Sequence, residues 1–250
     1  MAAFFDVDNT LVHGTTLFHL ARALRRRGFF RSEDLIRFAG HQLRYTALGE
    51  LNNLEKVRDQ ALGLLAGHDA AELAGAAEEV YQDVLAGRLY PEVMGLLAAH
   101  RAAGHQVWLV TASPVEIAQV LATHLGATGC LATVAERSEG RYTGRLLGEA
   151  MHGETKAHAI QELAEQAGLD LTASYAYGDS GNDLPVLRIV GHPVAVNPDR
   201  RLRRAATSNG WPRYDFRVAR RVAVRGIGAL VAAATVWGTT AAVRAWLRRG

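Results

Sequence analysis

Hydrophobic and polar residues follow two different patterns along this chain, and the change from one to the other indicates a domain boundary. A short buried strand is predicted over Ala2–Val7, ending in the polar turn Asp8-Asn9-Thr10. From about Thr15 to Tyr90 the apolar residues recur at helical spacing, with glycines between the stretches. The pattern therefore predicts one strand followed by an inserted cap of about four helices.

After Pro91 the pattern changes to alternating helices and strands. The predicted helices are Glu92–Ala103, Pro114–Leu125, Thr155–Ala167 and Asp183–Val190, and the predicted strands are Val107–Val110, Leu131–Ala135, Tyr142–Leu147, Ser174–Tyr177 and Pro193–Val196. Strands that alternate with helices form mostly parallel sheets covered by helices on both faces. The predicted fold class is therefore α/β, a doubly wound parallel sheet with a helical cap inserted after the first strand.

These patterns also give the expected domain boundaries. Residues 1–13 and 91–216 form the predicted core, 14–90 the cap, and 217–250 a basic and apolar C-terminal helix. Within that last segment, residues 226–243 are an uncharged run of eighteen with arginines on both sides. This length is at the short end of the ~17–25 residues that span a bilayer. Membrane contact and packing on protein both stay open for the segment.

Composition narrows the class of protein. About half of the residues are hydrophobic and 21% are charged, which is typical of a packed globular protein and not of a disordered one. Cys130 is the single cysteine, so an intrachain disulfide is excluded and a reducing compartment is favoured. The apolar run Ala2–Phe5 leads directly into Asp6, which is not the pattern of a cleaved signal. We therefore expect a cytoplasmic protein.

The net charge of +3 is small, but arginines are concentrated in the last fifty residues. A basic end of this kind favours contact with an anionic surface near that end, and possible membrane association is expected there. No nucleic-acid partner is expected. The oligomeric state is not predicted.

Polar clusters at the ends of predicted strands carry the candidate chemistry. Asp6-Val7-Asp8 closes the first strand, Thr111-Ala112-Ser113 follows a second, and the stretch Asp179–Asp183 follows a third, while Lys156 lies near a helix start. The carboxyl ends of parallel strands share one edge of a sheet, where ligands bind. We therefore expect these clusters to meet, although more than a hundred residues separate the first two.

The residue types indicate phosphoryl chemistry with a metal. Crowded carboxylates repel one another unless a cation compensates them, and an all-oxygen set of ligands suits Mg²⁺. The hydroxyl of Thr111 and the ammonium of Lys156 can bind phosphoryl oxygens. One carboxylate can attack phosphorus, and a second acid two residues along can transfer protons.

In this order the motifs resemble those of the haloacid dehalogenase superfamily, in its phosphoserine-phosphatase-like subgroup, subfamily IB. The resemblance covers about residues 1–216. It implies that Asp6 is the nucleophile and Asp8 the acid/base of a DxDxT motif. It also implies that Thr111, Ala112 and Lys156 bind the phosphate.

The same resemblance implies a Mg²⁺ cofactor. The ion would be held by the side chain of Asp6, the backbone carbonyl of Asp8 and the side chain of Asp179. Asp183 and Asn182 would support these ligands from beside them.

The implied activity is that of a phosphomonoester phosphatase acting on a small phosphorylated metabolite through an aspartyl phosphate. The expected partner is therefore a small phosphorylated substrate. Asp8 argues against a dehalogenase, which needs no second acid. Phosphoserine phosphatases of this subgroup carry a glutamate near the cap start to meet the substrate ammonium, and Thr15 stands at that position here. Four alternatives stay open: a phosphoserine phosphatase proper, a phosphatase for another head group, a phosphotransferase, and a non-catalytic binding protein.

Overall fold

A parallel β-sheet forms the centre of the protein. The computed structural model describes residues 1–29 and 65–217. Its strands are β1 Ala2–Asp6, β2 Gln106–Pro114, β3 Gly129–Thr133, β4 Ala135–Ser138, β5 Arg141–Leu146, β6 Tyr175–Gly178, β7 His192–Val196 and β8 Arg213–Tyr214. The order in the main sheet is β3-β2-β1-β6-β7-β8, and β4 and β5 form a separate antiparallel hairpin.

Strand β1 lies where the topology reverses direction. It pairs in parallel with β2 on one side and with β6 on the other, and β3 and β7 extend the sheet in parallel on either side. A crevice at the carboxyl ends of the strands is expected at such a switch point. Asp6 is the last residue of β1 and therefore lies at this edge.

Helices cover the sheet and form the described parts of the insertion. They are α1 Thr16–Arg26, α2 Ala70–Val80, α3 Pro91–Ala102, α4 Val115–Leu125, α5 Glu154–Ala167, α6 Leu184–Ile189 and α7 Arg200–Asn209. A π-helical turn, Tyr81–Leu85, and a 3₁₀ turn, Ala86–Arg88, continue α2. The Asp69 side chain caps α2 by accepting a hydrogen bond from the amide of Ala71.

The apolar sequence of β1 is explained by burial on both faces. Phe4 belongs to a core cluster with Val110, Ile160 and Leu187 on one face. Phe5 stacks on Tyr177 on the other, with ring centroids 4.3 Å apart. A strand covered on both faces carries a continuous apolar run, and each buried aromatic contributes about 1.5–3 kcal/mol. The core therefore fixes the strand that ends at Asp6.

The predicted fold class is confirmed, with three differences in detail. Strand β2 continues to Pro114 through the polar cluster, because a bulge lets the segment after Thr111 pair again with β3. The predicted strand Leu131–Ala135 is divided between β3 and β4. Helix α7 was not predicted, because its only buried side chains, Leu202 and Ala206, are too few for a clear helical period.

Two parts of the sequence prediction fall on residues that the structure does not describe. Residues 30–64 of the predicted cap lie outside the described ranges, as does the uncharged run 226–243. By its contacts the chain divides into two compact units, Met1–Arg213 and Tyr214–Gly250. Within residues 1–29 and 65–217, no helix is long and apolar enough to cross a bilayer.

Candidate active site

Lys156 joins two carboxylates at the carboxyl edge of the sheet. Its ammonium donates a hydrogen bond to Oδ1 of Asp6 over 2.7 Å and to Oδ1 of Asp183 over 2.9 Å. The lysine is the third residue of α5, and only 5% of it is exposed. A cation at this depth needs such partners, because an unpaired buried charge is costly.

The electrostatics of this cluster follow from burial and crowding. Burial raises the pKa of Asp6 well above its usual range, Lys156 opposes that rise, and Asp183 and Asp179 add to it. Burial alone would lower the pKa of Lys156, but the charges of Asp6 and Asp183 outweigh it and raise that pKa. The lysine therefore stays a fixed cation, and further positive charge would favour ionised Asp6.

The loop after β6 is organised around Asp183. Its Oδ2 accepts hydrogen bonds from the amides of Asp179 and Ser180 and from the Ser180 hydroxyl, each at 3.2 Å. Gly178 permits this approach, because a Cβ there would lie only 2.6 Å from that of Asp183. Asn182 is exposed in the 3₁₀ turn 181–183. The loop thereby directs Asp179 and Asp183 towards Asp6.

These three carboxylates fit a hard divalent cation. In the described part of the chain, Asp6, Asp179 and Asp183 form a group whose ligand atoms lie within 4.8 Å of one another. An all-carboxylate set matches the preference of Mg²⁺ for oxygen ligands. Both carboxylate oxygens of Asp183 already accept hydrogen bonds, Oδ1 from Lys156 and Oδ2 from the loop amides, so Asp183 is better suited to supporting the ligands than to binding the ion directly.

Asp8 does not join this cluster through its side chain but faces the start of α1. Its Oδ1 accepts hydrogen bonds from the amide of Thr16 at 2.9 Å and from the Thr16 hydroxyl at 2.7 Å. That hydroxyl also lies 2.6 Å from Oγ of Ser113. Burial raises the pKa of Asp8, and the hydrogen bonds from Thr16 oppose the rise. A carboxyl with a raised pKa is suited to giving and taking a proton near neutral pH.

The predicted phosphate-binding segment lies beside Asp8. Thr111 is buried, and its hydroxyl accepts a hydrogen bond from the amide of Ser113 at 3.1 Å. The carbonyl of Ala112 accepts one from the Thr133 hydroxyl at 2.8 Å, which ties the segment to β3. The structure thus brings Asp6, Lys156, Asp179 and Asp183 together, with Thr111–Ser113 at the same edge of the sheet.

Two residues that hold the loops around this site were not predicted from the sequence. Asn197 is fully buried after β7, and its amide donates a hydrogen bond to the carbonyl of Asn9 at 2.8 Å. Asp199 accepts a hydrogen bond from the amide of Gly181 at 3.0 Å while it caps α7. The signal that could have indicated them is the Asn-Pro-Asp sequence 197–199, which follows a strand of the same sheet edge.

Comparison with known proteins identifies the family of this chain. The haloacid dehalogenase-like hydrolase family matches residues 3–188. Phosphoserine phosphatase SerB1 of Mycobacterium tuberculosis is 44% identical over 97% of this chain and 79% of its own length. A probable phosphatase of the same organism is 35% identical over 97% of this chain and 83% of its own length.

The chain is also similar to a protein whose structure has been solved. It is a protein of unknown function from Bordetella pertussis, with a TM-score of 0.77, 34% identity, and coverage of 86% of this chain and 97% of that one. The predicted class of enzyme, a phosphoric monoester hydrolase, is confirmed by the family and by the phosphatase relatives. With its strand order, its carboxylate cluster and this match, the chain belongs to the haloacid dehalogenase-like hydrolase family.

Proposed function

We propose that this protein is a Mg²⁺-dependent phosphatase that hydrolyses a small phosphomonoester through a phosphorylated Asp6. The observation that carries the proposal is the contact of Lys156 with both Asp6 and Asp183 at the carboxyl edge of the sheet. A buried ammonium there holds the nucleophile in place and attracts the phosphoryl oxygens.

In the first step a carboxylate oxygen of Asp6 attacks phosphorus, and the bond from phosphorus to the ester oxygen breaks. Asp8 gives its proton to the departing alkoxide, which leaves as the alcohol. Thr111 and Lys156 hold the phosphoryl oxygens meanwhile. The product of this step is an acyl phosphate on Asp6.

In the second step Asp8, now a carboxylate, takes a proton from water. The water oxygen attacks phosphorus, the bond to Asp6 breaks, and inorganic phosphate leaves. Asp8 thus returns to its acid form, and each group ends as it began. The contacts of Thr16 keep the carboxyl of Asp8 in one orientation for both proton transfers.

Asp6, Asp179 and the backbone carbonyl of Asp8 are the residues proposed to hold Mg²⁺, with Asp183 and Asn182 in support. When bound, the ion neutralises the negative charge that gathers on the phosphoryl group and the carboxylates.

The experiment compares phosphate release from p-nitrophenyl phosphate with Mg²⁺, with EDTA, and by Asp6→Asn protein with Mg²⁺. Turnover is expected only in the first case. Release without metal, or by the Asp6→Asn variant, would contradict the proposal. Adding acceptor alcohols distinguishes a phosphotransferase, which would form new phosphate esters.

The head group of the substrate is proposed to be neutral or acidic, not an ammonium. Thr15 occupies the position at which the resemblance places the glutamate of phosphoserine phosphatases. Burial lowers the pKa of His19, and the charges of Arg88 and Arg22 lower it further, while Asp8 raises it. Arg88 and Arg22 are therefore close enough to His19 to disfavour a positive charge there, and a cationic head group near His19 would be repelled in the same way. One relative is named phosphoserine phosphatase SerB1. The proposed preference for a neutral or acidic head group would therefore distinguish this protein from a phosphoserine phosphatase.

The test compares kcat/KM for phosphoserine and 2-phosphoglycolate, which carries a carboxylate but no ammonium. We expect 2-phosphoglycolate to be preferred by wild type. Thr15→Glu should shift the ratio towards phosphoserine by about one to two decades, because a charge-assisted hydrogen bond contributes roughly 1.5–3 kcal/mol. Thr15→Gln, with the same shape and no charge, is the control. A wild-type preference for phosphoserine would overturn this part of the proposal and leave the mechanism intact.

A further inference from the structure

One face of α7 carries an unusual concentration of arginines. Arg200, Arg203, Arg204 and Thr207 recur at the spacing of one helical face, while Leu202 and Ala206 are buried on the other. Arg213 lies against the same face, where its guanidinium donates a hydrogen bond to the Thr207 hydroxyl at 2.9 Å. We call Arg200, Arg203, Arg204 and Arg213 the arginine face.

These residues line an open groove together with Thr207 and Ser208. None of its lining residues, all of which belong to the described part of the chain, is acidic. Arg200 and Arg204 are exposed. The groove therefore offers several guanidinium groups and the Ser208 hydroxyl as donors for phosphate oxygens, while the Thr207 hydroxyl already donates to the carbonyl of Arg203.

The stability of the helix does not account for this arrangement. Arg200 is the first residue of α7, and the only acidic group at this end of the helix is the capping carboxylate of Asp199, since the first turn itself contains none. Positive charge at a helix N-terminus opposes the helix dipole. The pairs of Arg200 with Arg203 and with Arg204 also place like charges three and four residues apart, which is unfavourable. The capping carboxylate of Asp199 offsets the first effect. The repulsion among the arginines is left, and an anionic partner would compensate it.

We propose that the arginine face docks on an anionic phospholipid surface. A lipid surface is favoured over other polyanions by the sequence that follows, since residues 226–243 are uncharged and moderately hydrophobic, with arginines on both sides. Basic residues beside an apolar segment are the usual combination for membranes with anionic headgroups. Anionic lipid headgroups supply the phosphate oxygens that the groove is equipped to bind.

The test measures binding of the full chain to phosphatidylcholine vesicles with and without phosphatidylglycerol. The readout is the partition coefficient for vesicles with phosphatidylglycerol divided by that for vesicles without it. Insertion of apolar side chains contributes to both coefficients and therefore cancels in the ratio. The variant is Arg200→Glu/Arg204→Glu. Each basic residue near an anionic surface contributes about 1 kcal/mol, or about fivefold, so this ratio should fall at least about 30-fold. The matched control, Arg25→Glu/Arg26→Glu, reverses two exposed charges on α1 and should change the ratio less than about threefold.

Melting temperature and hydrolysis of p-nitrophenyl phosphate in solution check that both variants fold. An equal fall in both variants, or no fall in either, would overturn the proposal. So would a wild-type protein that binds duplex DNA at the same salt concentration but shows no preference for the phosphatidylglycerol vesicles.

Discussion

Asp8 and Thr16 are joined by two hydrogen bonds to the same carboxylate oxygen, one from the amide at 2.9 Å and one from the hydroxyl at 2.7 Å. Asp8 belongs to the loop after β1, whereas Thr16 is the first residue of α1. The proposed acid/base is thereby oriented by α1, and Ser113 extends the contact to the predicted phosphate-binding segment.

Replacing the Thr16 hydroxyl should therefore impair proton transfer. Thr16→Val keeps the shape and the amide but removes one hydrogen bond to Asp8. Hydrogen bonds to charged groups contribute about 1.5–3 kcal/mol, so kcat for an alkyl phosphate should fall about tenfold or more. Thr16→Ser retains the hydroxyl and should stay within about threefold of wild type. Steady-state kinetics measure kcat for both variants. An equal loss of kcat in Thr16→Val and Thr16→Ser would contradict a role of the Thr16 hydroxyl in proton transfer.

Lys156 should be required for stability as well as for turnover. Lys156→Met leaves Asp6 and Asp183 buried near one another without a counter-charge, and breaking a buried ion pair costs about 3–5 kcal/mol. Thermal unfolding should show a lower Tm. Added Mg²⁺ should raise that Tm more in the variant than in wild type, because the ion replaces the missing positive charge.

Arg188→Met, which removes an exposed cation, is the control for this measurement. It should unfold like the wild-type protein with and without Mg²⁺. A Lys156→Met protein with an unchanged Tm, or with no larger response to Mg²⁺, would argue against charge compensation in the cluster.

Gly178 should be intolerant of a single methyl group. Gly178→Ala would place a Cβ 2.6 Å from the Cβ of Asp183, so the loop that carries Asp179 must move. Activity with p-nitrophenyl phosphate and Mg²⁺ affinity should both fall. Gly95→Ala is the matched control, because a Cβ there meets nothing within 4 Å and lies inside α3. That change should leave activity intact and stabilise the helix by about 1 kcal/mol.

The strand ends were predictable from the sequence, whereas their tertiary partners were not. An apolar run that stops at Asp6 indicates a buried strand and its end. The hydrogen bond of Thr16 to Asp8 depends on how the cap begins, which no local pattern encodes. Asn197 adopts a left-handed backbone, φ 49°, and reaches Asn9 from 188 residues away. Such contacts follow from closure of the whole sheet and not from spacing along the chain.

His100 should make the fold sensitive to acid. Burial lowers the pKa of His100, and His105 lowers it further. Its Nδ1 lies 2.9 Å from Nδ1 of His105 and its Nε2 2.7 Å from the hydroxyl of Tyr177. Tyr175 also contacts its ring, and His192 stacks on Tyr175. Protonating His100 would place a positive charge on this buried ring and leave neither of its nitrogens able to accept a hydrogen bond.

The sign of the effect follows from proton linkage. Between the lowered pKa of the folded state and about 6.5, the unfolded chain binds more protons than the native one. The free energy of unfolding should therefore fall as the pH falls below about 6.5. Urea unfolding at about pH 7.5 and pH 5.5 should show that the free energy of unfolding falls less between these pH values for His100→Gln than for wild type. Replacing the exposed His152 with Gln is the control. If that variant lost as much of the pH dependence as His100→Gln, the assignment of the acid sensitivity to His100 would be contradicted.

The covalent intermediate tests the account most directly. Asp8→Asn protein is mixed with Mg²⁺ and substrate, quenched in acid, and examined by mass spectrometry of its peptides. Without an acid/base the acyl phosphate should be hydrolysed at least ~10² more slowly, so one phosphoryl group should accumulate on Asp6. The Asp6→Asn protein should carry none. Turnover with no phosphorylated peptide, or a phosphoryl group on any residue other than Asp6, would contradict the mechanism proposed for this enzyme.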